Sequence, residues 1–102
     1  MTENVALTEA VYYILLSLKE PMHGYGIMKN VLELSNGRVN LAAGTLYGAI
    51  NTMIEKKWIS ATSNDMLRKK EYQITDLGVS VLESEIERLR ELLMNGNKIM
   101  GY

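Results

Sequence analysis

AAGTLYGAINTMIEKKWI, residues 42–59, decides how this chain folds. Leu46, Ile50, Met53 and Ile54 fall at i, i+4, i+7 and i+8, and Lys57 at i+11 ends the stripe as a snorkelling lysine. The stretch is therefore a helix packing Leu46, Ile50 and Ile54 inward. Its other side carries Thr45, Gly48, Asn51, Thr52 and Lys56, with Tyr47 at the boundary. Small hydrogen-bonding groups on an outer helix face suit close approach by another molecule. Gly48 sharpens the point, because glycine inside a helix costs about 1 kcal/mol relative to alanine. Clearance for a partner would offset that cost.

Upstream, Leu7, Val11, Ile14, Leu15 and Leu18 share one helical face, while Tyr12, Tyr13 and Leu16 make other sides apolar. A helix coated this way needs cover on more than one side, which a second subunit would supply. The segment KEPMHG holds the only proline and predicts a turn. A second helix follows over Tyr25 to Leu34, with Tyr25, Met28, Val31 and Leu32 spaced for burial and Ser35-Asn36-Gly37 ending it. Downstream, WISATS and KKEYQIT read as two short strands around a polar loop at 63–68, with Ile59, Ala61, Tyr72 and Ile74 facing inward. Thr75 is a helix N-cap with Asp76 in the first turn. In the last helix, from Asp76 to Met94, Val79, Leu82, Ile86, Leu89 and Leu93 form a heptad seam, the pattern of self-association. Residues 95–102 are expected to be a flexible tail.

A chain of 102 residues is one domain or one domain with an extension. It has no cysteine, which excludes disulfides, cysteine-ligated zinc and thiol catalysis. The longest apolar run, Ala10 to Leu18, is too short to span a bilayer, and Glu3 and Glu9 precede it where a secretion signal would be basic. A cytoplasmic protein is expected. His23 is the only histidine and suits capping or packing, not a metal site. No nucleophile–base pair, paired carboxylates or phosphate loop converge, so neither an enzyme nor a cofactor is expected. The net charge of −1 hides an asymmetry: residues 34–70 carry Arg38, Lys56, Lys57, Arg68, Lys69 and Lys70 against only Glu55 and Asp65. Both flanks are net acidic. A basic middle in an acidic chain is compatible with a local phosphate-binding face.

Helix, helix, helix, hairpin and long helix make a mainly α chain with a small β-hairpin. This is the order of a winged helix-turn-helix (5–75) followed by a C-terminal dimerisation helix (76–94). In that arrangement the third helix enters the DNA major groove and the hairpin tip rests on the backbone. Thr45 and the amides around Ala43 and Gly44 suit a phosphate at the helix start. Asn51 suits a bidentate contact with adenine, with Gly48 and Thr52 beside it. Arg68, Lys69 and Lys70 supply charge at the wing. The alternative is a winged helix that docks a partner protein and binds no DNA, which the modest net charge leaves open.

Four motifs in order carry a resemblance to a known family: His23-Gly24-Tyr25, Gly44-Thr45-Leu46-Tyr47, Trp58-Ile59, and Arg68 with Tyr72-x-Ile74-Thr75-x-x-Gly78. Together they resemble the PadR family of transcriptional regulators over roughly residues 5–93. The resemblance implies a homodimeric repressor joined through its first and last helices, hence through Val11 and Leu15 as well as the seam. It implies that Thr45 and Tyr47 contact phosphates, that Asn51 faces bases, and that Arg68 and Lys69 grip the backbone. It also implies release by a small hydrophobic or aromatic effector. Two departures matter. Gly48 stands where many relatives have Arg, so a phosphate clamp there is missing. The last helix has no Trp, so a ligand pocket built on one does not carry over.

Overall fold

The computed structural model describes residues 6–64 and 69–102. Thr8 opens the first helix by accepting the Val11 N–H at 3.2 Å, and α1 spans Glu9–Ser17. A two-residue strand, β1 (Met22–His23), leads into α2 (Gly24–Leu34). The recognition-helix candidate is α3 (Ala43–Glu55), followed by β2 (Ile59–Asn64), β3 (Lys69–Ile74) and α4 (Asp76–Met100). The strands form one antiparallel sheet in the order β1-β3-β2. The expected two-stranded ribbon thus gains a third strand from the segment taken for a turn: Met22 pairs with Tyr72 and His23 with Glu71.

The core lies where α1, α2 and α3 meet the sheet, around Ile14, Leu15, Ile27, Leu46, Ile50 and Ile59. Ser17 bridges the first two helices, donating to the Tyr13 carbonyl and accepting from Asn30 Nδ2, each at 2.8 Å. In α2 the burial face differs from expectation. Val31 is buried and Met28 half-buried as expected, and Ile27 and Gly24 join them, whereas Tyr25 is 70% exposed and Leu32 also faces solvent. The alternative i, i+3, i+7 series from Gly24 wins because a glycine lets the helix start close to α3. In the ribbon, Ile59 and Tyr72 are buried and Ile74 half-buried, but Ala61 is exposed, because β2 has left the core by its third residue.

α3 ends earlier than the stripe suggested. The Lys57 N–H donates to the Ile54 carbonyl at 3.0 Å and the Trp58 N–H to the Met53 carbonyl at 2.9 Å, a Schellman closure. Lys57 sits at its left-handed position with φ 64° and is exposed, so it does not snorkel along the apolar stripe. A side chain pays for that conformation, and glycine does not. Lys57→Gly is expected to raise stability by about 0.5–1 kcal/mol after the added freedom of the unfolded chain is deducted. A urea melt checks it; an unchanged or lower midpoint would contradict the strain.

Thr75 caps α4 by accepting the Gly78 N–H at 3.0 Å. The helix continues past Met94 to Met100 and closes on Gly101, with φ 78° and the Tyr102 N–H on the Asn97 carbonyl at 2.9 Å. The expected tail from residue 95 is therefore mostly helix. Within its first half α4 holds a buried carboxylate, Glu85, only 3% exposed. Arg88 donates to both its oxygens at 2.6 and 2.9 Å, and the Leu7 N–H donates to Oε2 at 2.8 Å. The Arg88 hydrogen bonds keep the Glu85 carboxyl below the usual carboxylate range against the upward push of burial, and Leu7 adds to them. The Leu7 hydrogen bond to that carboxylate fastens the entry to α1 onto α4.

Candidate nucleic-acid interface

The inward and outward faces of α3 divide as its sequence predicts. Leu46, Ile50 and Met53 are buried, Ile54, expected to pack inward with them, is half-buried, and Thr45, Gly48, Asn51, Thr52 and Lys56 are exposed. A Cβ added at Gly44 or Gly48 would meet nothing within 4 Å. Packing among the described residues therefore requires neither glycine. No side chain caps the helix at Ala42, which leaves first-turn amides without a side-chain partner. Thr52 donates to the Gly48 carbonyl at 3.1 Å, keeping its oxygen free as an acceptor. Nothing among the described residues bonds the Asn51 amide, so both its donor and its acceptor face outward unpaired.

Tyr47 is 45% exposed, and its ring lies across the start of α2. A Cβ at Gly24 would collide with the Tyr47 hydroxyl and stand 2.8 Å from Cζ, so Gly24 is what lets the tyrosine lie there. Between α2, α3 and β3 opens a cleft of about 360 Å³ lined by His23, Gly24, Tyr25, Tyr47, Lys70 and Tyr72. Burial, with Tyr47 adding to it, pushes the Tyr72 hydroxyl above the usual phenol range, so it stays a neutral donor. His23 Nδ1 accepts the Gly26 N–H at 3.0 Å, the capping role expected of it. The cleft thus gathers exposed Lys70, the start of α2 and three tyrosines. Tyr25 belongs to this rim, and the sequence had assigned it to the core. The signal that could have found it was the Gly24–Ile27–Val31 spacing, which turns Tyr25 outward.

Arg68 lies outside the described residues, and so does the side chain of Lys69, whose backbone opens β3. Of the residues expected at the dimer interface, Leu15 has no exposed surface and Leu82 is buried. Both belong to the protomer's own core and are unavailable to a partner. Val11, Val79 and Ile86 are half-buried, whereas Leu89 and Leu93 are exposed, Leu93 to 65%. Among the described residues no group of His, Asp and Glu side chains could hold a metal, and no helix is long and apolar enough to cross a membrane.

A three-helix unit with a small sheet and an exposed, slim third helix defines a winged helix-turn-helix protein. The model of the transcriptional regulator PadR-like family matches residues 13–84, and the chain belongs to that family. Similar solved structures include a PadR family transcription regulator from Clostridium difficile, 25% identical over 90% of this chain and 97% of that one, with a TM-score of 0.73. A PadR family regulator from Eggerthella lenta is 27% identical over 88% of this chain and 79% of that one, with a TM-score of 0.68. A transcriptional regulator from Clostridium thermocellum shares the fold at 21% identity, covering 88% and 87% of the two chains with a TM-score of 0.74. No curated protein matches the chain. The protein is therefore a regulator of the DNA-binding, winged-helix type.

Proposed function

We propose that this chain is a cytoplasmic, homodimeric transcriptional repressor, without enzymatic activity, that reads operator DNA through α3. The observation that carries it is the open space at Gly48 beside the unpaired Asn51 amide. Asn51 reads a base edge, with Thr52 beside it. Thr45 and the α3 amides hold one phosphate. Tyr47 and Lys70, in the cleft against α2, hold another, and Arg68 and Lys69 extend the grip along the wing. The residues from 5 to 75 act as the DNA-binding unit and α4 as the dimerisation helix. Support for dimerisation is the far half of α4, where Leu89, Leu92, Leu93, Met94, Ile99 and Met100 are exposed. A second α4 covering them would set two α3 helices about 34 Å apart, one turn of duplex. A small hydrophobic effector would release the repressor.

Gel shifts with the protein's own upstream DNA test this reading. Affinity is expected to fall on the order of a thousandfold between 50 and 200 mM salt, as phosphate contacts displace counterions. Asn51→Ala is expected to relax choice at one base pair, by about 1–3 kcal/mol of discrimination. Binding that is absent, or indifferent to salt, would sink the proposal and favour a protein partner.

A further inference from the structure

Tyr72 is a core residue with a polar end that the core does not use. It lies in β3, the middle strand of the sheet, pairing with Met22 on one side and Ala61 on the other. Only 6% of it is exposed, so packing fixes the ring. Among the described residues its hydroxyl bonds to nothing, yet no sealed side-chain oxygen there lacks a partner. Both hold together only where the hydroxyl reaches a surface, and Tyr72 lines the cleft between α2, α3 and β3. A hydroxyl desolvated on most sides and given no partner costs the fold stability and returns none. Lys70, on the same face of β3, is exposed, and no carboxylate among the described residues pairs with it. Tyr47 completes the α3 wall, in a place that only the missing side chain at Gly24 leaves open.

We propose that Tyr72 contacts DNA from inside the core, its hydroxyl donating to one backbone phosphodiester that Lys70 and Tyr47 hold in the same cleft. The inference deepens the DNA-binding reading and rests on it. Charge selects the ligand. Lys70 is the one lysine or arginine among the described residues lining the cleft, and the tyrosines are neutral donors. One positive charge matches the single negative charge of a phosphodiester better than the nearly double charge of a phosphate monoester. Rigidity gives Tyr72 its use. A lysine on its flexible stem follows a phosphate wherever it lies, whereas a donor set in the central strand accepts it at one place only. Backbone contacts fix the register of a protein on the duplex, so Tyr72 sets the depth and register at which α3 meets the groove.

Tyr72→Phe removes only the hydroxyl, so the melting temperature of the full chain should hold or rise slightly. A clear fall would show that the fold uses the hydroxyl and would overturn the premise. In gel shifts, affinity for operator and for unrelated duplex should drop alike, by about tenfold per protomer, the worth of one hydrogen bond to a charged group. No ion is lost, so the salt slope should stay, whereas Lys70→Gln should lower it by about one per protomer. Operator duplexes with one neutral methylphosphonate linkage at successive positions locate the phosphate. The wild-type chain should lose affinity sharply at one linkage in each half-site. Tyr72→Phe should feel that linkage about tenfold less, with equal penalties elsewhere. Undiminished affinity of Tyr72→Phe, or penalties equal to wild type at every linkage, would overturn the contact and leave DNA binding standing. Competition at fixed ionic strength separates the sources of phosphate. Millimolar inorganic phosphate that displaces DNA from the wild-type chain but not from Tyr72→Phe would make this a free-phosphate site and overturn the diester. Absence of binding to any duplex would remove the regulator reading, and this contact with it.

Discussion

Gly78→Ala is expected to destabilise the protein by about 3 kcal/mol, near the upper end for forcing an extra methyl group into a packed interior. The substitution looks favourable by local rules, since alanine is the better helix former by about 1 kcal/mol. Packing reverses the sign. A Cβ at Gly78 would run into the Trp58 carbonyl oxygen, stand 3.0 Å from the carbonyl carbon and crowd Ile74 Cγ1 at 2.7 Å. That carbonyl cannot retreat freely. It accepts from both the Thr75 N–H and the Thr75 hydroxyl, each at 2.9 Å, so moving it loosens the α4 cap as well as the entry to β2. Gly96 supplies the control, because it lies in the same helix with nothing within 4 Å of a Cβ. Gly96→Ala should therefore raise stability by about 1 kcal/mol. Thermal melts at one fixed protein concentration, as association requires, should separate the variants by roughly 15 °C or more. Equal melting temperatures would show that the corner of Trp58, Thr75 and Gly78 carries no such strain.

The same corner shows what a sequence can disclose and what it cannot. Thr75 was legible as a cap because capping is local, and the partner lies three residues ahead. Gly78 was legible only as part of a motif, since its reason is a carbonyl brought there by folding from Trp58. The α3 faces were legible because the helical period alone separates Leu46, Ile50 and Met53 from Thr45, Gly48 and Asn51. In α2 two periodic series competed, and the heavier one, through Tyr25 and Leu32, lost to the one through Gly24, whose value lies in what it lets Tyr47 do. Strand β1 escaped notice because two residues carry no alternation. Lys57 escaped because its left-handed conformation contradicts its own propensity. The α4 seam joined two different jobs in one repeat: Leu82 serves the protomer core, while Leu89 and Leu93 stay exposed. A heptad pattern records that a face is apolar, not which surface covers each part of it.

Gly48 bears the largest expected effect on function. Gly48→Leu should leave the fold intact or make it more stable by up to about 1 kcal/mol, because leucine is a good helix former and the site is open. Operator affinity should nevertheless fall by about a hundredfold, since a branched side chain there would hold α3 away from the base edges that Asn51 must reach, and a lost base contact alone is worth about 1–3 kcal/mol. Non-specific binding, carried by phosphates, should change little. Opposite signs in stability and affinity cannot both come from damage to the fold. Gly48→Arg divides the two placements left for this position. Where residue 48 faces base edges, arginine also costs operator affinity. Where it faces the backbone, arginine adds a phosphate contact, tightens binding and steepens the salt slope by about one per protomer. Tighter binding by Gly48→Arg, or unchanged binding by Gly48→Leu, would overturn the account in which this glycine exists to clear the groove.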